Sequence, residues 1–268
     1  MTTAPRRPQV AVLGFGEAGG AFARDLTAAG ASVRGFDPEV PAPHGVSQRG
    51  DDADAVRDAE LVFSLTSGSA AEAALSAALP ALRPGTLWAE ANTTSPALKA
   101  HLAERIRDAG GELVDVAIMA PVPGTGLYTP MAVSGPAALR FATIMSEFGV
   151  LVTHVAGPIG AASSRKLLRS VVYKGLAAAV VEAMEGARAA GCEGWFRHHL
   201  ATEFVRFDAD MIDRLISGTY EHAARRAEEM DAAAAQLADL GLTPRIAAAT
   251  RDALRAIAEG DAPMAEKE

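Results

Sequence analysis

Residues 10–20 read V-A-V-L-G-F-G-E-A-G-G. An apolar run stops on glycines, and a helical pattern follows at once. The spacing G-x-G-x-x-G at Gly14, Gly16 and Gly19 constrains the fold more than any other feature of the chain, because each glycine meets a separate steric demand. Gly14 makes the tight turn out of a strand, Gly16 lets a pyrophosphate approach the backbone, and Gly19 lets the helix pack closely on the strand. The N–H groups of the helix start face the phosphates, and Phe15, Glu17 and Ala18, beside the glycines, are expected among the cofactor-binding residues. Asp37 closes the next apolar run about 20 residues on, where an acid accepts hydrogen bonds from ribose hydroxyls. These residues predict a dinucleotide-binding strand–turn–helix. Asp37 and Glu39 together would repel a 2′-phosphate, which favours NAD and leaves NADP as the alternative.

The first half of the chain repeats this alternation. Short apolar runs at 9–13, 31–36, 60–65, 86–90, 112–116, 130–134 and 150–154 read as strands, and helical stretches separate most of them. That order predicts βαβ units and a doubly wound, Rossmann-type parallel sheet. The pattern changes after Gly157. From Gly160 to about Ala190 apolar residues recur at helical spacing, through Leu167, Leu168, Val171, Val172, Leu176 and Val180, with no proline. Further helices are expected at 195–207, 207–217, 219–240 and 243–259. The expected organisation is a dinucleotide-binding α/β domain over 1–156 and an all-α domain over 157–268, with substrate between them.

Composition narrows the function. Acids outnumber bases 33 to 25 in 268 residues, a net charge of −8, which argues against a general nucleic-acid or anionic-membrane binder. No uncharged apolar run reaches about 18 residues, so no transmembrane helix is expected. Residues 1–8 lack the apolar stretch of a signal peptide. The single cysteine, Cys192, excludes an intrachain disulfide and fits a reducing, cytoplasmic setting. His198 and His199 are adjacent and cannot share a helix face, so no metal site is expected there.

The start of the long helix, residues 157–174, reads G-P-I-G-A-A-S-S-R-K-L-L-R-S-V-V-Y-K. Helical spacing lines up Lys166, Arg169, Ser170 and Tyr173 as a polar stripe on an otherwise apolar helix. A lysine beside Arg169 in a closed cleft gives up its proton more readily, as proton transfer near neutral pH requires. Arg169 can clamp a carboxylate with two parallel hydrogen bonds. Together with the glycine turn, E-A-N-T-T-S-P at 90–96, D-V-A-I-M-A-P at 115–121 and M-A-V-S-G at 131–135, this helix resembles the β-hydroxyacid dehydrogenase superfamily, which includes 3-hydroxyisobutyrate and 6-phosphogluconate dehydrogenases. It is most similar to the branch with a short phosphogluconate-dehydrogenase-like C-terminal domain.

The resemblance implies that Lys166 is the general acid/base, that Thr93, with Asn92 beside it, lies near the nicotinamide, and that Met119, Ala120 and Pro121 occupy the substrate-clasping positions. Thr66 and Ser67, after the third apolar run, fall where cofactor-contacting loops sit in doubly wound sheets. Glu182 lies on the opposite face of the helix from Lys166 and reads as structural. The chain departs from the family where Arg169 and Ser170 replace asparagines, where Tyr173 replaces a glutamate, where Lys174 replaces a phosphate-binding tyrosine, and where the clasp lacks its Ser-Gly-Gly. The expected protein is therefore an NAD(P)-dependent oxidoreductase acting on a small β-hydroxy acid or related alcohol or carbonyl compound. An imine reductase-like enzyme and a non-catalytic dinucleotide-binding protein are the alternatives. The long apolar helix in a small C-terminal half predicts a homodimer.

Overall fold

The computed structural model describes residues 8–261. The elements of the first half are β1 (Gln9–Leu13), α1 (Glu17–Ala28), β2 (Ser32–Phe36), β3 (Ser47–Gln48), α2 (Asp52–Val56), β4 (Leu61–Ser64), α3 (Ala71–Ala78), β5 (Leu87–Glu90), α4 (Pro96–Asp108), β6 (Glu112–Ile118), β7 (Met131–Ser134), α5 (Ala138–Ser146) and β8 (Val152–His154). Four helices follow: α6 (Ala161–Ala189), α7 (Glu193–Phe204), α8 (Met211–Asp239) and α9 (Arg245–Glu259). The chain divides into two compact units, 1–169 and 170–268, with the break inside α6.

In the first unit the strands form one sheet in the order β3-β2-β1-β4-β5-β6-β7-β8. Every pairing is parallel except β6 with β7. Successive residues of β1 go to opposite faces. Val10 and Val12 join Phe22, Leu26, Phe63 and Phe141 in one core. Ala11 and Leu13 join Val56, Leu75, Trp88, Leu102 and Ile106 in the other. Helices α1 and α5 therefore cover one face and α2, α3 and α4 the other. A strand buried on both faces is apolar on both except where the fold pairs a polar group, as at Asp115 and Ser134, which is why these runs are largely continuous in sequence rather than alternating. The chain reverses its direction across the sheet between β1 and β4, and the glycine turn lies at that switch point, outside the carboxyl end of β1.

The second unit holds most of α6 with α7, α8 and α9. Its buried positions are mainly small: Ala187, Ala223, Ala227, Ala234 and Ala247, with Leu254. Gly186 faces Leu237, where any side chain at 186 would be crowded. The helices expected at 207–217 and 219–240 are one helix, α8, bent at His222, whose backbone leaves the helical region at φ −123°. Two elements are absent from the sequence reading, β3 and α2. At two and five residues they are too short to carry a hydrophobic period. Among the described residues no helix is long and apolar enough to cross a membrane.

Candidate functional site

The glycine turn is built from three dissimilar glycines. Gly14 has φ +91°, a conformation disfavoured for any side chain, and a methyl group there would collide with the Leu65 carbonyl at the end of β4. Gly19 is equally constrained, because its methyl would strike the Gly14 carbonyl. Both are demanded by the protein itself. Gly16 is different: a methyl there would meet nothing within 4 Å. Gly16 stands immediately before the first turn of α1, where unsatisfied N–H groups favour an anion. Phe15, Gly16 and Glu17 also line a cleft of about 810 Å³ with Ala21, Val40 and the loop 122–126.

Asp37 does more than the motif suggests. Its Oδ2 accepts the Phe15 N–H at 2.7 Å, and its Oδ1 accepts the N–H groups of Glu39 and Val40 at 2.8 and 2.9 Å. The carboxylate thus ties the glycine turn to the end of β2. Burial pushes its pKa up, but the three backbone donors outweigh burial and hold it below the usual carboxylate range. A fixed negative charge results where the ribose acceptor is expected. Arg34, three residues earlier, does not face this site as a counter-charge; its surroundings are Arg49, Asp58, Asp54 and Arg83.

The loops after β4 and β5 come together. Thr66 is half-buried and Ser67 exposed, and Ser67 Oγ accepts the Ala70 N–H. Gly68, next in this loop, sits against the Thr93 carbonyl. Asn92 is buried beside exposed Thr93. Its Nδ2 donates to Ser64 Oγ at 2.9 Å and to Glu90 Oε1 at 2.7 Å. Since a carboxylate only accepts, these bonds fix which way the amide points. Asn92 Oδ1 and Thr94 Oγ1 are buried without hydrogen-bond partners among the described residues. The helix start nearby is capped by Ser95, whose Oγ accepts the Leu98 N–H, with Pro96 at the first helical position.

The residues at the clasp positions differ in setting. Met119 packs with Ala117, Ala132, Val155, Ala161 and Ala162 at the foot of α6, Ala120 is half-buried, and Pro121 is exposed. Along α6, Lys166, Arg169 and Ser170 are half-buried, while Tyr173 and Lys174 are exposed. Glu182 caps another helix: its two carboxylate oxygens accept the N–H groups of Ile246 and Ala247, each at 2.8 Å, at the start of α9. His222, Arg225 and Arg226 lie on α8, where Arg225 pairs with Glu229 and Arg226 with Thr219.

One buried polar group escaped the sequence reading. Lys99 is fully buried, and its Nζ donates to Asp115 Oδ1 and the Glu90 carbonyl at 2.7 Å and to the Val116 carbonyl at 3.2 Å. The signal was available: Lys99, Leu102 and Ile106 share a helix face, so a lysine stands where a core residue belongs.

The strand order, the glycine turn at the switch point and the acid at the end of β2 define an NAD(P)-binding oxidoreductase fold. Residues 9–138 match the family described as the NAD binding domain of 6-phosphogluconate dehydrogenase. This part of the chain is an NAD(P)-binding domain. Residues 187–257 match a domain of unknown function, DUF1932. Among solved structures, a conserved hypothetical protein from Sinorhizobium meliloti 1021 is 28% identical over 98% of this chain and 92% of that one, with a TM-score of 0.60. The conserved protein MTH1747, of unknown function and structurally similar to 3-hydroxyacid dehydrogenases, is 26% identical over 95% of this chain and 100% of its own, with a TM-score of 0.58. An imine reductase from Myxococcus stipitatus in complex with NADP+ shares the fold, at a TM-score of 0.77 and 18% identity over 94% of this chain and 95% of that one. No curated protein sequence matches the chain. The resemblance to the β-hydroxyacid dehydrogenases read from the sequence therefore holds.

Proposed function

We propose that the protein is an NAD-dependent oxidoreductase that interconverts a small β-hydroxy acid, or a related alcohol, with its carbonyl compound, Lys166 serving as general acid/base. The observation that carries this reading is the turn at Gly14, Gly16 and Gly19 at the switch point of the sheet, with Gly16 and Glu17 lining an open cleft at the start of α1. Gly16 and Glu17 would hold the pyrophosphate, Asp37 the adenosine ribose, and Thr66, Asn92 and Thr93 the nicotinamide end. The bound cofactor supplies or accepts the hydride at nicotinamide C4. Lys166 as a neutral amine takes the hydroxyl proton as the carbonyl forms, and as an ammonium returns it in reduction. Arg169, one helical turn on, pairs with the substrate carboxylate. The held charge of Asp37 favours NAD over NADP, because a 2′-phosphate beside it would be repelled.

The test is Lys166→Ala assayed with NAD+ and a panel of short hydroxy acids, with NADH titrated calorimetrically. Turnover is expected to fall by at least about 100-fold, the usual size of a general acid/base contribution, with NADH affinity retained. Undiminished turnover would remove the role of Lys166.

A second reading, reduction of imine-like substrates, is favoured by the clasp. Met119, packed into the foot of α6, and Pro121 replace the polar, flexible Ser-Gly-Gly segment. That reading predicts activity on cyclic imines and tolerance of Lys166 loss. In either case we propose a homodimer, supported by the apolar surface of α6, α7 and α8.

A further inference from the structure

We infer that Asp115 is a positioning residue for Lys166: its buried carboxylate anchors the first turn of α6 and so sets where the lysine ammonium lies. The inference rests on the acid/base reading of Lys166. All of the residues involved lie within 1–169.

Helix α6 begins without a capping side chain of its own. The residue before it is Gly160, which has φ +95° and packs so closely on Pro96 that a side chain would not fit. The orphan N–H groups of the first turn must be satisfied from elsewhere. Asp115, on β6, does this. Its Oδ2 accepts the N–H groups of Gly160 and Ser163 at 3.1 and 3.0 Å and the Ser134 hydroxyl at 2.9 Å. Its Oδ1 accepts the Ser163 hydroxyl at 2.6 Å and Lys99 Nζ at 2.7 Å. Ser134 in turn accepts the Ala162 N–H at 3.0 Å. Asp115 and Lys99 are both 0% exposed.

A carboxylate at a helix N-terminus is favourable for the macrodipole, and the lysine beneath it balances its charge inside the core. The anchorage is therefore rigid: five donors converge on one carboxylate, each from a different atom of the surrounding core. Lys166 follows Ser163 by three residues, less than one helical turn. A loosened first turn moves the lysine directly. Asp115 cannot itself reach a substrate, since it is fully enclosed and fully paired.

The chain's lysines are Lys99, Lys166, Lys174 and Lys267, so competitive labelling with acetic anhydride, read by peptide mass spectrometry across pH, reports Lys166 against exposed Lys174 in the same molecule. The variants are Ser163→Ala, which removes one hydrogen bond to Asp115, Ser134→Ala, which removes one to Asp115 and one from the Ala162 N–H, and Asp115→Asn, which also removes the charge and can fail to fold. The serine variants are expected to bind NADH as the parent does. Their Lys166 labelling relative to Lys174 is expected to change by at least about threefold, or about half a pH unit in its profile. An unchanged Lys166 profile together with a lowered melting temperature would overturn the inference, because the cluster would then be a staple without influence on the lysine. Full turnover in Lys166→Ala would instead overturn the acid/base reading while leaving the labelling result intact, so the two failures are distinguishable.

Discussion

Gly14, Gly16 and Gly19 form one motif, yet they answer to different forces. Gly14 and Gly19 are closed in by the protein's own backbone, whereas Gly16 is open on the side where a side chain would project. Gly16→Ala is therefore expected to leave the fold intact, at a cost below about 1 kcal/mol for the altered helix start, and to weaken NADH binding at least about tenfold by blocking the approach of the pyrophosphate. Thermal melting and calorimetric titration of the same preparation check both halves. Gly19→Ala is expected to do the opposite and lower stability first. Asp37 shows what a motif leaves unsaid at this scale. The motif assigns it to a ribose, and the fold also uses it to pin Phe15 and its own turn.

Among the elements, α2 carries an electrostatic strain. Asp52, in its first turn, is pushed up to about 6 by burial and by the like charges of Asp51 and Asp37. A carboxyl with a raised folded-state pKa binds its proton more tightly when folded, so stability falls as pH rises from about 4 to about 6. Asp52→Asn is expected to be more stable than the parent at pH 7.5 by about 1 kcal/mol, well short of the full linkage value because the group is half in solvent, and to show no advantage at pH 4. Urea unfolding at the two pH values measures this. Helix α9 depends on a distant residue: Pro244, before it, supplies no side-chain cap, and Glu182 on α6 takes its place. Glu182→Ala is expected to cost about 1 kcal/mol of stability, the usual value of a lost cap, with unchanged NADH affinity. Destabilisation with weakened NADH binding would show that Glu182 serves the site as well. The strands were legible because a parallel sheet buries both faces and leaves unbroken apolar runs in the sequence. The bend at His222 was not, because no proline marks it; the sequence reading placed a break nearby, at Ser217–Thr219, and split one helix in two.

For the whole molecule, the surface of the helical part is the open account. Val171 is 72% exposed, Val172 66%, Trp195 67%, Val205 87% and Ile212 66%. Exposed apolar residues in this number, on α6, α7, α8 and the segment after α7, support the proposed homodimer. In that assembly a twofold axis would let one apolar face cover its equivalent on the second copy. Light scattering on the purified protein is expected to give a dimer near twice 27.6 kDa, and Val172→Glu to shift it toward monomer with a lower melting temperature. A monomeric parent would refute the proposed assembly.

The sequence by itself determined the dinucleotide turn and the order of strands and helices, apart from β3, α2 and the division of α8, because these rest on local geometry: backbone conformation at glycine, and the 2.0 and 3.6 periods of strand and helix. Only the tertiary structure decided what Asp37, Lys99, Asp115 and Glu182 do. Their partners lie 22 residues away for Asp37 and Phe15, 16 for Lys99 and Asp115, 48 for Asp115 and Ser163, and 64 for Glu182 and Ile246. Helical spacing can mark a charged residue as buried, as it does for Lys99, but it does not name the distant group that the residue will pair with. That outcome depends on which segments the fold brings together, and on the free-energy cost of leaving a polar group in the core unpaired.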